Sequence, residues 1–263
     1  SAKRPPDAPV RTAVEMVNEG MIDIGKALSR VSPEQVKALL LPRLVEGAAE
    51  GARIIARGEG ACPGVATGTL VTDPDEAERR AATGEAVILL RATTSPDDIH
   101  GMIAARAVVT EQGGSTSHAA VVSRALGRPC VVGTGGGGLQ AGEVVTVDGE
   151  AGVVYAGELR VEIPDEAADT RLLQLIGWAR ERSAVRVIRP RDASGLGDFI
   201  DVDEQLSNGE TDGLPALLKG VEVAGGVMLS NPAAARIAAA QGVRTIITEP
   251  VLPALLAVMG DAA

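Results

Sequence analysis

One stretch combines residue types that can do chemistry: Val108-Val-Thr-Glu-Gln-Gly-Gly-Ser-Thr-Ser-His118, followed by Ala-Ala-Val-Val-Ser-Arg124. An apolar run of strand type enters a Gly113-Gly114 turn, three hydroxyl residues follow, and His118 leads an apolar helix. The start of a helix presents unpaired N–H groups and about half a positive charge, which together hold an anion such as a phosphoryl group. A neutral imidazole keeps a lone pair on one ring nitrogen, so a histidine placed there can act as a nucleophile. Gly113 and Gly114 let a ligand approach the backbone closely. Ser115, Thr116 and Ser117 are placed to cap the helix or to donate to phosphate oxygens.

Competing motifs fail on context. The other histidine, His100, lies inside a helix opened by Ser95 and lacks a glycine turn, which favours a packing or surface role. Gly20 to Ala27 approaches a phosphate-binding P-loop, but Ala27 stands where magnesium needs a hydroxyl, and Met and Ile crowd the loop. Gly133-Thr-Gly-Gly-Gly-Gly138 follows a strand but leads into a turn and another strand, so it reads as a flexible loop. Two histidines and two cysteines, Cys62 and Cys130, leave no basis for a metal cluster or a disulfide framework, and no metal is expected.

The elements that must position the turn fit into 263 residues, room for one large domain or two ordinary ones. Hydrophobic residues at 45% and charged residues at 23% are ordinary for a globular protein. Only Tyr155, Trp178 and Phe199 are aromatic, too few to stack single-stranded nucleic acid. A net charge of −10 also disfavours nucleic acid and anionic membrane surfaces. The start, Ser-Ala-Lys-Arg-Pro-Pro, has neither an initiator Met nor a signal-peptide apolar stretch, so the expectation is a cytoplasmic piece of a longer protein.

The patterning predicts an α/β fold in three parts. Residues 1–50 read as a helical segment, with the stripe Val10, Ala13, Val14, Val17 and a capping box at Ser32-Pro-Glu-Gln35. Gly47 to Gly60 reads as a loose hinge. Residues 51–163 alternate short strands (Ala86–Arg91, Ala107–Thr110, Pro129–Val132) with helices opened at Asp73-Pro74 and Ser95-Pro96, and end in a hairpin of Glu143–Val147 with Gly152–Tyr155. Residues 164–263 predict a small α/β region: a helix over 168–182, a strand Val185–Ile188 and a polar stretch from Gly195 to Gly209. Strand-like runs Val221–Val223 and Val227–Leu229 follow, then a helix from Asn231-Pro232, a strand Arg244–Thr248 and a last helix from Glu249-Pro250. Arg186, Arg189 and Arg191 read as a solvated basic face.

The stretch from Gly113 to Gly133 resembles the swivelling phosphohistidine domain of the phosphoenolpyruvate-utilising enzymes. Thr94-Ser-Pro-Asp-Asp-Ile-His-Gly-Met102, Ala13-Val-Glu-Met-Val-Asn-Glu-Gly-Met21, Arg30-Val-Ser-Pro-Glu-Gln-Val36 and Ala61-Cys-Pro-Gly-Val-Ala-Thr-Gly68 are similar to the pyruvate phosphate dikinase branch of that family. The resemblance implies a central β/β/α domain whose His118 is phosphorylated. It implies an ATP-grasp nucleotide-binding domain as the partner that phosphorylates His118, using ATP, Mg²⁺ and inorganic phosphate, and no cofactor bound in this fragment itself. It further implies a phosphoenolpyruvate/pyruvate barrel as the partner that passes the group to pyruvate, yielding phosphoenolpyruvate, AMP and pyrophosphate. Swivel hinges fall at 47–60 and 160–166, Thr116 occupies a regulatory phosphosite of plant dikinases, and a homodimer is a further candidate partner. Departures are Gln112 and Ser115, where the family commonly carries Arg, or Arg or Met. Gly225 to Ile247 is similar to one strand–helix–strand unit of the barrel, but a whole barrel needs about 200–250 residues and does not fit in 164–263. Two alternatives stay open: a carrier serving another acceptor, as in phosphoenolpyruvate synthase, and a non-catalytic regulatory or interaction module that keeps the fold.

Overall fold

The computed structural model describes residues 7–206 and 211–260; Ser1 to Pro6 and the Asn208-Gly209 part of the polar stretch lie outside the described residues. In chain order the elements are α1 (Ala8–Asn18), α2 (Ile24–Ser29), α3 (Pro33–Leu39), β1 (Arg43–Leu44), β2 (Ile54–Arg57), β3 (Glu59–Cys62) and β4 (Val65–Val71). Then come α4 (Pro74–Ala82), β5 (Val87–Arg91), α5 (Ile99–Ala104), β6 (Ala107–Thr110), α6 (His118–Leu126), β7 (Cys130–Val132), β8 (Val144–Asp148), β9 (Val153–Ala156) and β10 (Val161–Glu162). The last are α7 (Thr170–Arg180), β11 (Arg186–Ile188), β12 (Ile200–Asp201), α8 (Val202–Gln205), α9 (Leu214–Leu217), β13 (Val223–Gly225), α10 (Pro232–Ala240), β14 (Thr245–Ile247) and α11 (Val251–Val258).

These elements form two units. The central one, Leu41–Ile163, is built on an eight-stranded sheet of order β2-β9-β8-β4-β5-β6-β7-β3, in which β4 to β7 run parallel and the flanking pairs are antiparallel. Strand residues alternate between faces, so Val87 and Leu89 of β5 enter one core with Met102 of α5 and Leu126 of α6. Ile88 and Leu90 enter a second core with Val145, Val147 and Val154, made from strands alone apart from Leu139. Both faces of β5 are therefore buried, which explains its unbroken apolar run. Helices cover one face, and the outer strands wrap over the other.

The other unit comprises the described residues up to Leu40, Pro164–Gln205 and those from Thr211. Its four strands, β11-β14-β13-β12, are all parallel. The helical segment expected over 1–50 does not stand apart, because α3 packs on α11, α1 packs on α7, and Glu34 pairs with Arg236 of α10 at 3.2 Å. Its buried stripe of Val10, Ala13 and Val14 needed that cover. Residues 41–50 go with the central unit instead.

The expected hinge at 47–60 is also corrected. Residues 54–57 and 59–62 are strands, and turns occupy only 46–51. β1 pairs antiparallel with β10, and Arg43 bonds Glu162 at 3.0 Å, so the two chain crossings at the border of the central unit run side by side as a ribbon. Val227–Leu229 is not a strand: the Asp203 carboxylate accepts the Val227 and Met228 amides and bends Val227–Ser230 into a 3₁₀ turn. Arg189 is not a solvated charge either. Its side chain is 11% exposed and lies 3.6 Å from Glu166 and 3.8 Å from Glu249.

Candidate functional site

The Gly113-Gly114 turn leaves the buried end of β6 and is held from several sides. Thr110 Oγ1 donates to the Gln112 carbonyl at 2.7 Å, and the Thr134 amide donates to the Thr110 carbonyl at 3.1 Å. The Glu111 amide donates to the Arg91 carbonyl at 3.0 Å, tying the turn to β5. Gly113 has φ +106°, and a Cβ there would stand 3.0 Å from Ser117 Cβ, so a side chain meets both strain and a clash. The Ser117 amide closes the turn on the Gly114 carbonyl at 2.9 Å. Ser117 then caps α6 in extended conformation, its Oγ accepting from the Ala120 amide at 3.4 Å. Of the three hydroxyl residues, Ser117 is thus the cap, while Ser115 and Thr116 are exposed.

His118 occupies the first position of α6 and is half-buried. Its Nε2 is shut off from solvent and has no hydrogen-bond partner among the described residues. Leaving a buried polar atom unpaired costs about 1–3 kcal/mol, and such atoms call for a reason beyond packing. The amides of His118 and Ala119 beside it have no intrahelical partner, as for any first helical turn. No complete helical turn precedes this position to restrict χ1, so the ring has rotamers open to it that a mid-helix residue lacks. The site thus gathers a nitrogen without a partner, unpaired amides and hydroxyls in one turn.

Two residues that the sequence reading did not assign hold this turn to β3. Arg124 Nη2 donates to the Ser115 carbonyl at 2.8 Å and its Nη1 to the Ala61 carbonyl at 3.1 Å. Arg124 follows the Ser117 cap by two helical turns on the same face, and helical side chains lean toward the N-terminus; that spacing was the available signal. Glu59 Oε2 accepts the Ser115 amide at 3.0 Å. No local pattern marks Glu59, because only the pairing of β3 with β7 brings it there.

The remaining candidates fall away. His100 Nε2 bonds the exposed Asp75 carboxylate at 2.8 Å, a surface contact. Cys62 and Cys130 are buried register partners across β3 and β7, not joined as a disulfide, and burial pushes the Cys130 thiol up to about 12. It is a core residue, not a nucleophile. No group of His, Cys, Asp and Glu among the described residues could hold a metal ion, and none of the described helices is long and apolar enough to cross a membrane. A groove of about 1250 Å³ in the central unit, walled by Val65, Arg106, Arg128, Val144 and Ile163, includes neither His118 nor its turn.

Comparison with known proteins bears on this turn directly. Residues 83–152 match the family model described as the PEP-utilising enzyme mobile domain. Residues 83–152 are thus similar to the mobile domain of PEP-utilising enzymes. The matched stretch contains β5 to β8, α6 and His118. The chain is 39% identical over 199 residues to a pyruvate, phosphate dikinase of Entamoeba histolytica, which covers 70% of this chain and 22% of that protein. It is 38% identical over 215 residues to that of Rhizobium meliloti, covering 76% of this chain and 24% of that protein. Pyruvate, phosphate dikinase 2 of Oryza sativa subsp. japonica is 37% identical over 201 residues. The aligned part of the chain thus spans less than a quarter of the length of the first two relatives. Glu59 of β3 lies outside the 83–152 match to the mobile-domain model.

Proposed function

We propose that the mobile domain is the phosphoryl carrier of a dikinase-type phosphotransferase, with His118 as acceptor and donor. One observation supports this most: His118 Nε2 has no partner among the described residues although it is buried, beside the first amides of α6, which have no intrahelical partner. The large majority of buried side-chain polar atoms have a partner. In the reaction, the lone pair of a ring nitrogen forms the N–P bond while the donor's P–O bond breaks, and the ring keeps its other N–H. The ring first turns outward to meet the donor. The amides of the turn and the hydroxyls of Ser115 and Thr116 then face the phosphoryl oxygens, with Gly113 and Gly114 leaving room for them. Phosphoryl transfer depends mainly on positioning and charge neutralisation, and those parts can come from a partner domain.

The same proposal assigns the partners. An ATP-grasp nucleotide-binding domain supplies the group from ATP with Mg²⁺, and a pyruvate-binding domain accepts it, giving phosphoenolpyruvate. A homodimer and a cytoplasmic setting belong to this reading, and Thr116, exposed beside His118, is its regulatory phosphosite. The central unit, Leu41–Ile163, is the carrier domain of this reading, and the two chain crossings at its border, near the β1–β10 ribbon, are the swivel. To test it, this chain is mixed with a dikinase nucleotide-binding domain, β-labelled ATP, Mg²⁺ and inorganic phosphate. Acid-labile, base-stable label on the wild type and none on His118→Ala is the expected result. Equal label on both, or none on the wild type, overturns the proposal and leaves a non-catalytic interaction module.

A further inference from the structure

Glu59 places a carboxylate on the turn to which the carrier reading assigns the phosphoryl group. Its Oε2 accepts the Ser115 amide at 3.0 Å from a residue 56 positions earlier in the chain. Gly114 makes room for it: a Cβ at that position would stand 3.3 Å from the same oxygen. The opposite side of the same residue is also taken, since Arg124 holds the Ser115 carbonyl and is itself anchored to Ala61, two residues beyond Glu59 on β3. The Ser115 backbone is therefore gripped between a cation on its carbonyl and an anion on its amide. Uncharged side chains would suffice to hold a loop. A carboxylate at this amide is an anion in an anion-binding turn, and it is acceptor-only when ionised.

We propose that Glu59 is a built-in competitor for the phosphoryl group: it fills the Ser115 amide in the free carrier, gives it up when His118 is phosphorylated, and opposes the phosphoryl charge thereafter. This rests on the carrier reading above. Glu59 is a positioning residue, since it acts through Ser115 and through charge. Its effect is to make the phosphorylated carrier less stable and hence a readier donor. Removing the charge shifts the balance toward phosphohistidine by about fivefold, the effect of one unit charge about 4 Å away in near-aqueous surroundings.

The experiment uses the whole chain and phosphoramidate as the chemical donor, so no partner domain is needed. The lone pair of a ring nitrogen forms the N–P bond as the donor's P–N bond breaks; ammonia leaves, and the ring keeps its other N–H. Labelling rate and plateau are followed by intact mass for wild type, Glu59→Gln, Glu59→Ala and His118→Ala. Glutamine keeps an acceptor oxygen for the Ser115 amide and loses only the charge. The proposal expects Glu59→Gln and Glu59→Ala to label alike, about fivefold faster or further than wild type. If Glu59→Gln matches wild type while Glu59→Ala differs, Glu59 merely holds the loop and the proposal is overturned. Equal behaviour of all three Glu59 forms, with His118→Ala unlabelled, also overturns it but leaves the carrier reading standing. Labelling of His118→Ala equal to wild type instead sinks the carrier reading itself.

Discussion

Arg124 and Ser115, nine positions apart in the chain, are joined by a 2.8 Å hydrogen bond from the guanidinium Nη2 to the Ser115 carbonyl. The second arm of Arg124 reaches Ala61 on β3, so one side chain ties the turn to a neighbouring strand. Replacing it with alanine removes two charge-assisted bonds, at about 1.5–3 kcal/mol each in favourable cases and less where they face solvent. Arg124→Ala is expected to lower the urea midpoint and to slow labelling of His118 about tenfold. Arg124→Lys keeps the charge but cannot span both carbonyls, so it should recover stability more than rate. Urea unfolding alongside phosphoramidate labelling checks both.

The turn itself has separable supports. Ser117→Ala loses the side-chain cap of α6, worth about 1 kcal/mol. Gly113→Ala forces a side chain to φ +106° against Ser117 Cβ, and about 1–3 kcal/mol of strain follows. The expected order of urea midpoints is wild type, Ser117→Ala, Gly113→Ala, with the reverse order of the two variants counting against the geometry described for the turn.

Much of this site was legible because its signals are local. Ser117 capping α6, Ser32 in its capping box, and Asp73 and Asn231 at their helix starts each need only a side chain and an amide two or three residues on. The strands β5, β6 and β7 were legible as apolar runs buried on both faces. Glu59 at the Ser115 amide, the β1–β10 ribbon and the packing of α3 on α11 were not, since each depends on chain segments far apart being brought together. Val227–Leu229 failed for a different reason. Its composition suits a strand, but the Asp203 carboxylate competes for its amides.

Burial of Cys130 makes stability depend on alkaline pH. Its thiol is pushed up to about 12 from an ordinary 9.0, chiefly by loss of solvent, with Cys62 adding to the rise and the Ser123 hydrogen bond opposing it. Between about pH 9 and pH 12 the unfolded chain releases this proton and the native chain keeps it, so stability falls as pH rises, by up to about 1.4 kcal/mol per pH unit. Cys130→Ala should flatten that slope, at the cost of a smaller core. Urea unfolding of both proteins from pH 8 to about pH 11 measures it, and thiol-reactive dye should spare Cys130 until the chain unfolds.

Glu166 supports the other unit. It is 3% exposed, accepts the Val251 and Leu252 amides at the start of α11 at 2.6 and 3.0 Å, and lies 3.6 Å from Arg189. Glu166→Ala uncaps α11 and weakens the pairing of a mostly buried guanidinium, leaving Glu249 as its remaining partner. A loss of about 3–5 kcal/mol is expected. Trp178 of α7 lies in this unit and Tyr155 of β9 in the central one. Tryptophan fluorescence should therefore report an earlier transition in the variant.

The most direct measurement is site localisation. After incubation with a dikinase nucleotide-binding domain, ATP, Mg²⁺ and inorganic phosphate, the chain is digested at alkaline pH and fragmented by electron transfer. The account requires a single acid-labile phosphate on the imidazole of His118, absent after mild acid treatment. Phosphate found on Ser115, Thr116 or Ser117 with the imidazole of His118 bare, or on no residue of the turn, contradicts it.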